Sequence, residues 1–155
     1  MEIDRDTISG FARRVNKNLD FMDTARENGK DIHIVTQLTC SLLGLIVFPY
    51  EHFKQTGALN FRNLSLDDLV DKGWPSWKFH KEPSKSLDNH LFHLRNALSH
   101  RRVRFSSDDR SLFEVKVTFS DRKSPKECDY WSASIGGADL LDFVKRLSKL
   151  IDSRA

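Results

Sequence analysis

Arg95 and His100 stand five positions apart in the segment Leu-Asp-Asn-His-Leu-Phe-His-Leu-Arg-Asn-Ala-Leu-Ser-His, with Asn96 directly after the arginine. Phosphodiester cleavage calls for a group that moves protons near neutral pH and a fixed cation that holds the charge developing on the nonbridging oxygens. Histidine and arginine are the natural pair for those tasks. The surrounding charge suits the same chemistry. Residues 78–104 carry seven Lys/Arg against two acidic residues, a formal +5, while the remainder of the 155-residue chain sums to −2 and the total is +3. Four of the six histidines, His80, His90, His93 and His100, fall in that window. A total of +3 says little about partners, but its concentration in one segment points to an anionic ligand.

The segment must be a helix for these residues to act together. With His90 at zero on a wheel of about 100° per residue, Leu87, Leu91, Leu94 and Leu98 cluster between about 40° and 100° and form the buried stripe. Arg95, Ser99, Phe92, Asn96 and His100 follow from about 140° to about 280°, a polar face with one aromatic ring, looking away from the core. The arginine and the histidine sit about 140° apart on that wheel. A single helix therefore makes an open site, and two copies meeting through Phe92 and Ser99 at a twofold axis would enclose one shared cleft.

The other elements follow from periodicity. Ile8, Phe11, Val15, Leu19 and Met22 recur at helical steps over residues 4–27, and Asn28-Gly29 supplies the stop. A more apolar helix is predicted over about residues 30–55, with Ile34, Leu38, Leu42, Leu45 and Ile46 inward and a kink at Pro49. Ser65 caps a short helix that Gly73 ends. Residues 74–79 form an aromatic loop that closes the core edge or stacks on bases. Residues 103–105, 112–119 and 130–135 read as short antiparallel strands, with Phe113, Val115, Val117 and Phe119 alternating inward and turns at 106–110 and 121–127. Gly136-Gly137 then opens a last helix with a dense stripe from Leu140 to Ile151. The expectation is one domain over residues 1–155, mostly α, a helical bundle with a small inserted antiparallel β-sheet.

Composition narrows the function classes. At 39% hydrophobic and 30% charged residues the chain is globular in character. Cys40 lies in an apolar stretch and is expected to be a buried free thiol, which with Cys128 as the one other cysteine suits a cytoplasmic location. The charged opening segment lacks a signal-peptide core, and residues 42–50 are too short for a membrane span, so no membrane partner is expected. No nucleophile elbow, P-loop or dinucleotide fingerprint occurs. His90, His93 and His100 could share a helix flank as metal ligands, but no cysteine pair or carboxylate at ligand spacing supports them, and no metal or cofactor is expected.

The stretch Arg95-Asn96-Ala97-Leu98-Ser99-His100 resembles the signature of the HEPN superfamily (higher eukaryotes and prokaryotes nucleotide-binding). So does its context of two long helices, with Leu42-Leu43-Gly44-Leu45 running into Pro49-Tyr50-Glu51, then a motif helix, a strand insertion and a closing helix. The chain looks closest to the plasmid- and prophage-borne HEPN nucleases. The resemblance implies an HEPN-like fold and a homodimeric, metal-independent endoribonuclease of toxin–antitoxin or antiphage type. It also implies Arg95 and His100 as the catalytic pair, Asn96 as the residue that orients them, and an antitoxin or inhibitor protein as a further partner. A catalytically inactive HEPN module that binds nucleic acid or protein is the alternative. HEPN toxins silenced by a nucleotidyltransferase carry Tyr two residues after the motif histidine; Arg102 stands there, so that partner is not expected. Arg101, Arg102 and Arg104 look instead like phosphate contacts at the cleft rim, with RNA as the substrate.

Overall fold

A computed structural model describes residues 5–81 and 84–154, with side chains from Gly10 onward. The Ile8 side chain, Glu82 of the basic window and the first four residues lie outside the described residues. Helix α1 (Arg5–Glu27) buries Ala12, Val15 and Leu19. It ends where Gly29, at φ 77°, lets its own N–H bond Arg26 O and that of Lys30 bond Ala25 O, the paired closure that a left-handed residue permits.

Next come α2 (Ile34–Leu45), a π-helical turn (Ile46–Tyr50) and α3 (Glu51–Gln55), continuous as one rod. Pro49 has no N–H to return to the preceding turn, and its ring crowds the carbonyl there. The chain answers by widening, and the Glu51 N–H reaches back five residues to Ile46 O. The proline distortion therefore takes the form of a wide turn within the helix. The rod is long and apolar enough to cross a bilayer, yet Ile34, Leu38, Leu42 and Leu45 are fully buried inside the fold, packed on α1 and on α6 (Gly137–Arg154). Its first turn is capped from outside: Val35 N–H donates to Asp109 O, and the Thr36 hydroxyl and His33 Nδ1 both bond the Asp109 carboxylate. Cys40 is exposed rather than buried, because it sits off the stripe of Leu38, Leu42 and Leu45.

Ser65 Oγ accepts from Asp67 N–H and caps α4 (Leu66–Asp71), and Ser86 Oγ accepts from Asn89 N–H and caps α5 (Leu87–Ser99). The sheet has the order β1-β4-β3-β2, from β1 (Lys78–Lys81), β2 (Val103–Phe105), β3 (Lys116–Asp121) and β4 (Trp131–Gly136), all antiparallel. The expected mostly helical bundle with a small antiparallel sheet is the observed architecture.

Two local differences are instructive. Part of the aromatic loop is the edge strand β1, whose Phe79 faces Trp131 and His90 while Trp74 and Trp77 pack edge-on against Phe143. The strand expected from residue 112 begins only at Lys116, and Phe113 is 84% exposed. Residues 112–115 instead turn beneath the start of α6, where Gly137 N–H bonds Val115 O; a Cβ on Gly137 would lie 2.6 Å from a Val115 methyl, so only glycine fits.

Helix α5 lies between the layers, touching α2 and the π turn on one side and β3 on another. Its Leu87, Leu91, Leu94 and Ala97 are fully buried. Truncating one of those leucines to alanine is expected to cost about 2–5 kcal/mol.

Candidate active site

Two consecutive residues of the rod hold α5. The Tyr50 hydroxyl donates to the Asp88 carboxylate in the first turn of α5, and Glu51 Oε1 pairs with Arg95 Nε at 3.1 Å two turns later. Asp88 and Arg95 are seven residues apart and so share one face of the helix. Lys54 Nζ adds a 2.8 Å ion pair to Asp88. Burial alone would raise the Asp88 pKa, but the Lys54 and Tyr50 bonds hold it below the usual carboxylate range. Burial and the bond to Asp88 raise the Tyr50 phenol well above its ordinary value. The π turn thus aims Tyr50 and Glu51 at α5, and a small groove lined by Ile46, Tyr50, Glu51, Lys54, Phe92 and Arg95 lies over the contact.

Arg95 is partly exposed, while Phe92 (51% exposed), Ser99 and His100 are open to solvent. His100 is the C-cap of α5. The chain leaves the helix through Arg101, at φ 59° the one non-glycine in the left-handed region among the described residues. Arg101 N–H bonds Leu98 O at 3.2 Å and Arg102 N–H bonds Ala97 O at 2.8 Å, closing the helix as Gly29 closes α1. That reversal sends Arg102 back toward the sheet.

There Asp121, 1% exposed, gathers the polar groups. Its carboxylate accepts from His93 Nδ1 at 2.9 Å, Asn96 Nδ2 at 3.0 Å, the Tyr130 hydroxyl at 3.1 Å, Arg122 N–H at 2.9 Å and, more loosely, an Arg102 guanidinium nitrogen at 3.5 Å. Burial would raise the Asp121 pKa, but the Asn96, His93 and Tyr130 bonds lower it. The His93 ring also stacks on Trp131 at 5.0 Å.

Of the residues expected in the site, Arg95, Phe92, Ser99 and His100 are accessible together on one side of α5. Asn96 turns its amide to Asp121 and so helps seat the helix on the sheet. Arg101 and Arg104 are exposed, whereas Arg102 is engaged by Asp121 and by Arg122 O at 3.1 Å, with its side chain only 15% exposed. The guanidinium of Arg102 thus anchors the chain after the motif.

The three α5 histidines do not converge. His90 is enclosed by Trp77, Phe79, Trp131 and Phe143 with neither ring nitrogen bonded, and burial, reinforced by nearby His93, pushes its pKa down to about 3. Among the described residues the close group of potential metal donors is His33, Asp108 and Asp109, where His33 already bonds Asp109 and the Arg110 fork holds Asp108.

Glu51 and Asp121 carry no role in the sequence reading. Asp121 had a usable signal: it continues the inward register of Val117 and Phe119, where a carboxylate demands partners.

No curated protein and no solved structure matches the chain. The family described as HEPN pEK499 p136 matches it across residues 1–155. Because the match runs end to end, the chain belongs to that family of the HEPN superfamily.

Proposed function

We infer that this HEPN protein is a metal-independent endoribonuclease of toxin or antiphage-defence type. It acts in the cytoplasm as a homodimer, with an antitoxin or inhibitor protein as its natural restraint. The observation that supports this most is the placement of partly exposed Arg95, paired with Glu51, and exposed His100 in the second half of a helix that leucines fix to the core, Asp88 to Tyr50 and Asn96 to Asp121. A helix so firmly seated, with Arg95 and His100 reachable from solvent, suits preorganised catalysis.

In the reaction, the RNA 2′-OH attacks the adjacent phosphorus, the O2′–P bond forms and the P–O5′ bond breaks. The 2′-OH proton leaves to a base and the departing 5′ oxygen takes one up, giving a 2′,3′-cyclic phosphate and a 5′-OH. His100 serves proton transfer and Arg95 holds the nonbridging oxygens. Pairing about a twofold axis through the exposed Phe92 and Ser99 sets one chain's Arg95 and His100 against their counterparts, closing the gap of about 140° between them on a single helix.

The test is total RNA incubated with purified protein, with and without chelator, beside His100→Ala. Chelator-resistant cleavage to cyclic-phosphate ends, lost in His100→Ala with the fold retained, is the expected result. Intact RNA throughout, with binding preserved, would instead identify a nucleic-acid-binding module. A protein that cleaves at full rate as a monomer would refute the shared site.

A further inference from the structure

The sheet is covered on one side only. Val117, Phe119, Ala133 and Ile135 face the core, where α5 packs on β3 and α6 on β4. Cross-strand partners point to the same side, so the opposite side follows from the register. One row there runs Arg104, Thr118, Ser134, Lys78 across all four strands, and in the next Ser120 pairs with Ser132, which pairs with Lys81. The bulge in β1 turns His80 the same way, its Nε2 bonding Ser134 Oγ at 3.0 Å. The two central strands thus offer the half-buried hydroxyls of Thr118, Ser120 and Ser132, with Ser134 itself 1% exposed and held by His80, and both edge strands offer cations.

No strand residue on this side is a carboxylate; Lys116 and Gly136 complete it. Among the described residues, the turn between β3 and β4 brings acidic groups to this side: Asp129 is paired with Arg122 Nε at 2.9 Å, and Glu127 lines the same depression as His80 and Lys81. A solvated sheet face ordinarily interleaves both signs, since opposite charges stabilise cross-strand pairs. One sign of charge around such hydroxyls is instead complementary to a polyanion, because cations and hydroxyls are the donors that phosphate oxygens take. The four-strand row spans three strand spacings, about 14 Å, enough for more than one phosphate of an extended strand.

We propose that this open face binds the sugar-phosphate backbone of single-stranded RNA, as a second platform beyond the cleavage motif that begins at Arg104, four residues after His100. The choice of RNA among polyanions rests on the function inferred above. The platform grips substrate without reading bases, so it contributes affinity and directs the strand that flanks the cut.

The experiment uses His100→Ala protein and a fluorescent single-stranded oligouridylate, with affinity read by anisotropy across a salt series. Adding Lys78→Gln and Arg104→Gln, both at exposed positions, should weaken binding about tenfold and flatten the log–log salt slope by about 1.4, two contacts at about 0.7 each. Thr118→Glu, which keeps every cation and adds a carboxylate to the row, should weaken it as well. Lys17→Gln, the same charge loss on α1, should not. Unchanged affinity and slope in the first two variants, equal weakening by Lys17→Gln, or polyglutamate competing as well as RNA would each overturn the platform. Sheet-dependent binding by a parent protein that never cleaves would refute the nuclease alone. Cleavage with sheet-independent binding would refute the platform alone.

Discussion

Arg95 is not a free cation: its Nε lies 3.1 Å from Glu51 Oε1, the first residue after the π turn. Both partners are partly solvated, so the pair contributes within about 1 kcal/mol to stability. Its effect is on the phosphate. Glu51→Gln should leave the melting temperature nearly unchanged, tighten RNA binding and steepen its salt dependence by about 0.7, and lower the single-turnover cleavage rate because the guanidinium is no longer aimed. Weaker binding in that variant would show that Glu51 acts otherwise.

Asp121 should behave as a structural keystone. Its carboxylate receives the side chains of His93, Asn96 and Tyr130 while 1% exposed, so Asp121→Asn leaves buried donors without an anion and should cost about 3 kcal/mol in a urea titration. Because its folded pKa is depressed, its contribution is present above the unfolded value near 3.9 and is lost as pH falls through the lower folded value. A loss below about 1 kcal/mol would mean that the network relaxes without it.

Arg101 occupies a left-handed position that glycine fills at low cost. Arg101→Gly should therefore stabilise the protein by about 0.5–1 kcal/mol, seen as a raised melting temperature. If its side chain meets phosphate, the same variant binds RNA less tightly. A destabilised Arg101→Gly would show that the side chain carries an interaction worth more than the backbone strain.

His90 sets the acid limit of the fold. Its ring stays neutral when folded, with a pKa near 3, while the unfolded chain takes up a proton below about 6.5. Its stabilising effect is complete above about pH 6.5 and declines toward pH 3 by up to about 1.4 kcal/mol per pH unit. His90→Phe, a similar ring among aromatic neighbours, should remove that slope and gain stability at pH 5 relative to pH 7. The Asp88 and Asp121 contributions decline only below about pH 4, so the windows separate. An unaltered slope between pH 7 and 5 in His90→Phe would place the acid sensitivity elsewhere.

Helices were legible because leucine and isoleucine repeat at helical steps, and several ends because Gly29 and Ser65 have one strong local preference each. Phe113 misled, since alternation persists through residues whose backbone turns under Gly137. Cys40 misled because an apolar stretch was read without its stripe. The strand β1 is four residues long, and only Phe79 among them faces inward, too little for a period. In the candidate site, Arg95 and His100 stand out through local spacing. The ties of Arg95 to Glu51 and of Asn96 to Asp121 span 44 and 25 residues, and no local pattern encodes a pairing made by tertiary packing.

The wide turn at Ile46–Tyr50 holds one residue more than an α-helix of the same rise would need. Were the same five residues to wind as regular α-helix, the extra one would no longer be absorbed and everything after them would swing by about 100°. Tyr50 and Glu51 would lose Asp88 and Arg95 in one step, although no residue of the motif had been touched. The reading frame of the helix, rather than the identity of its side chains, keeps the two halves of this protein in phase.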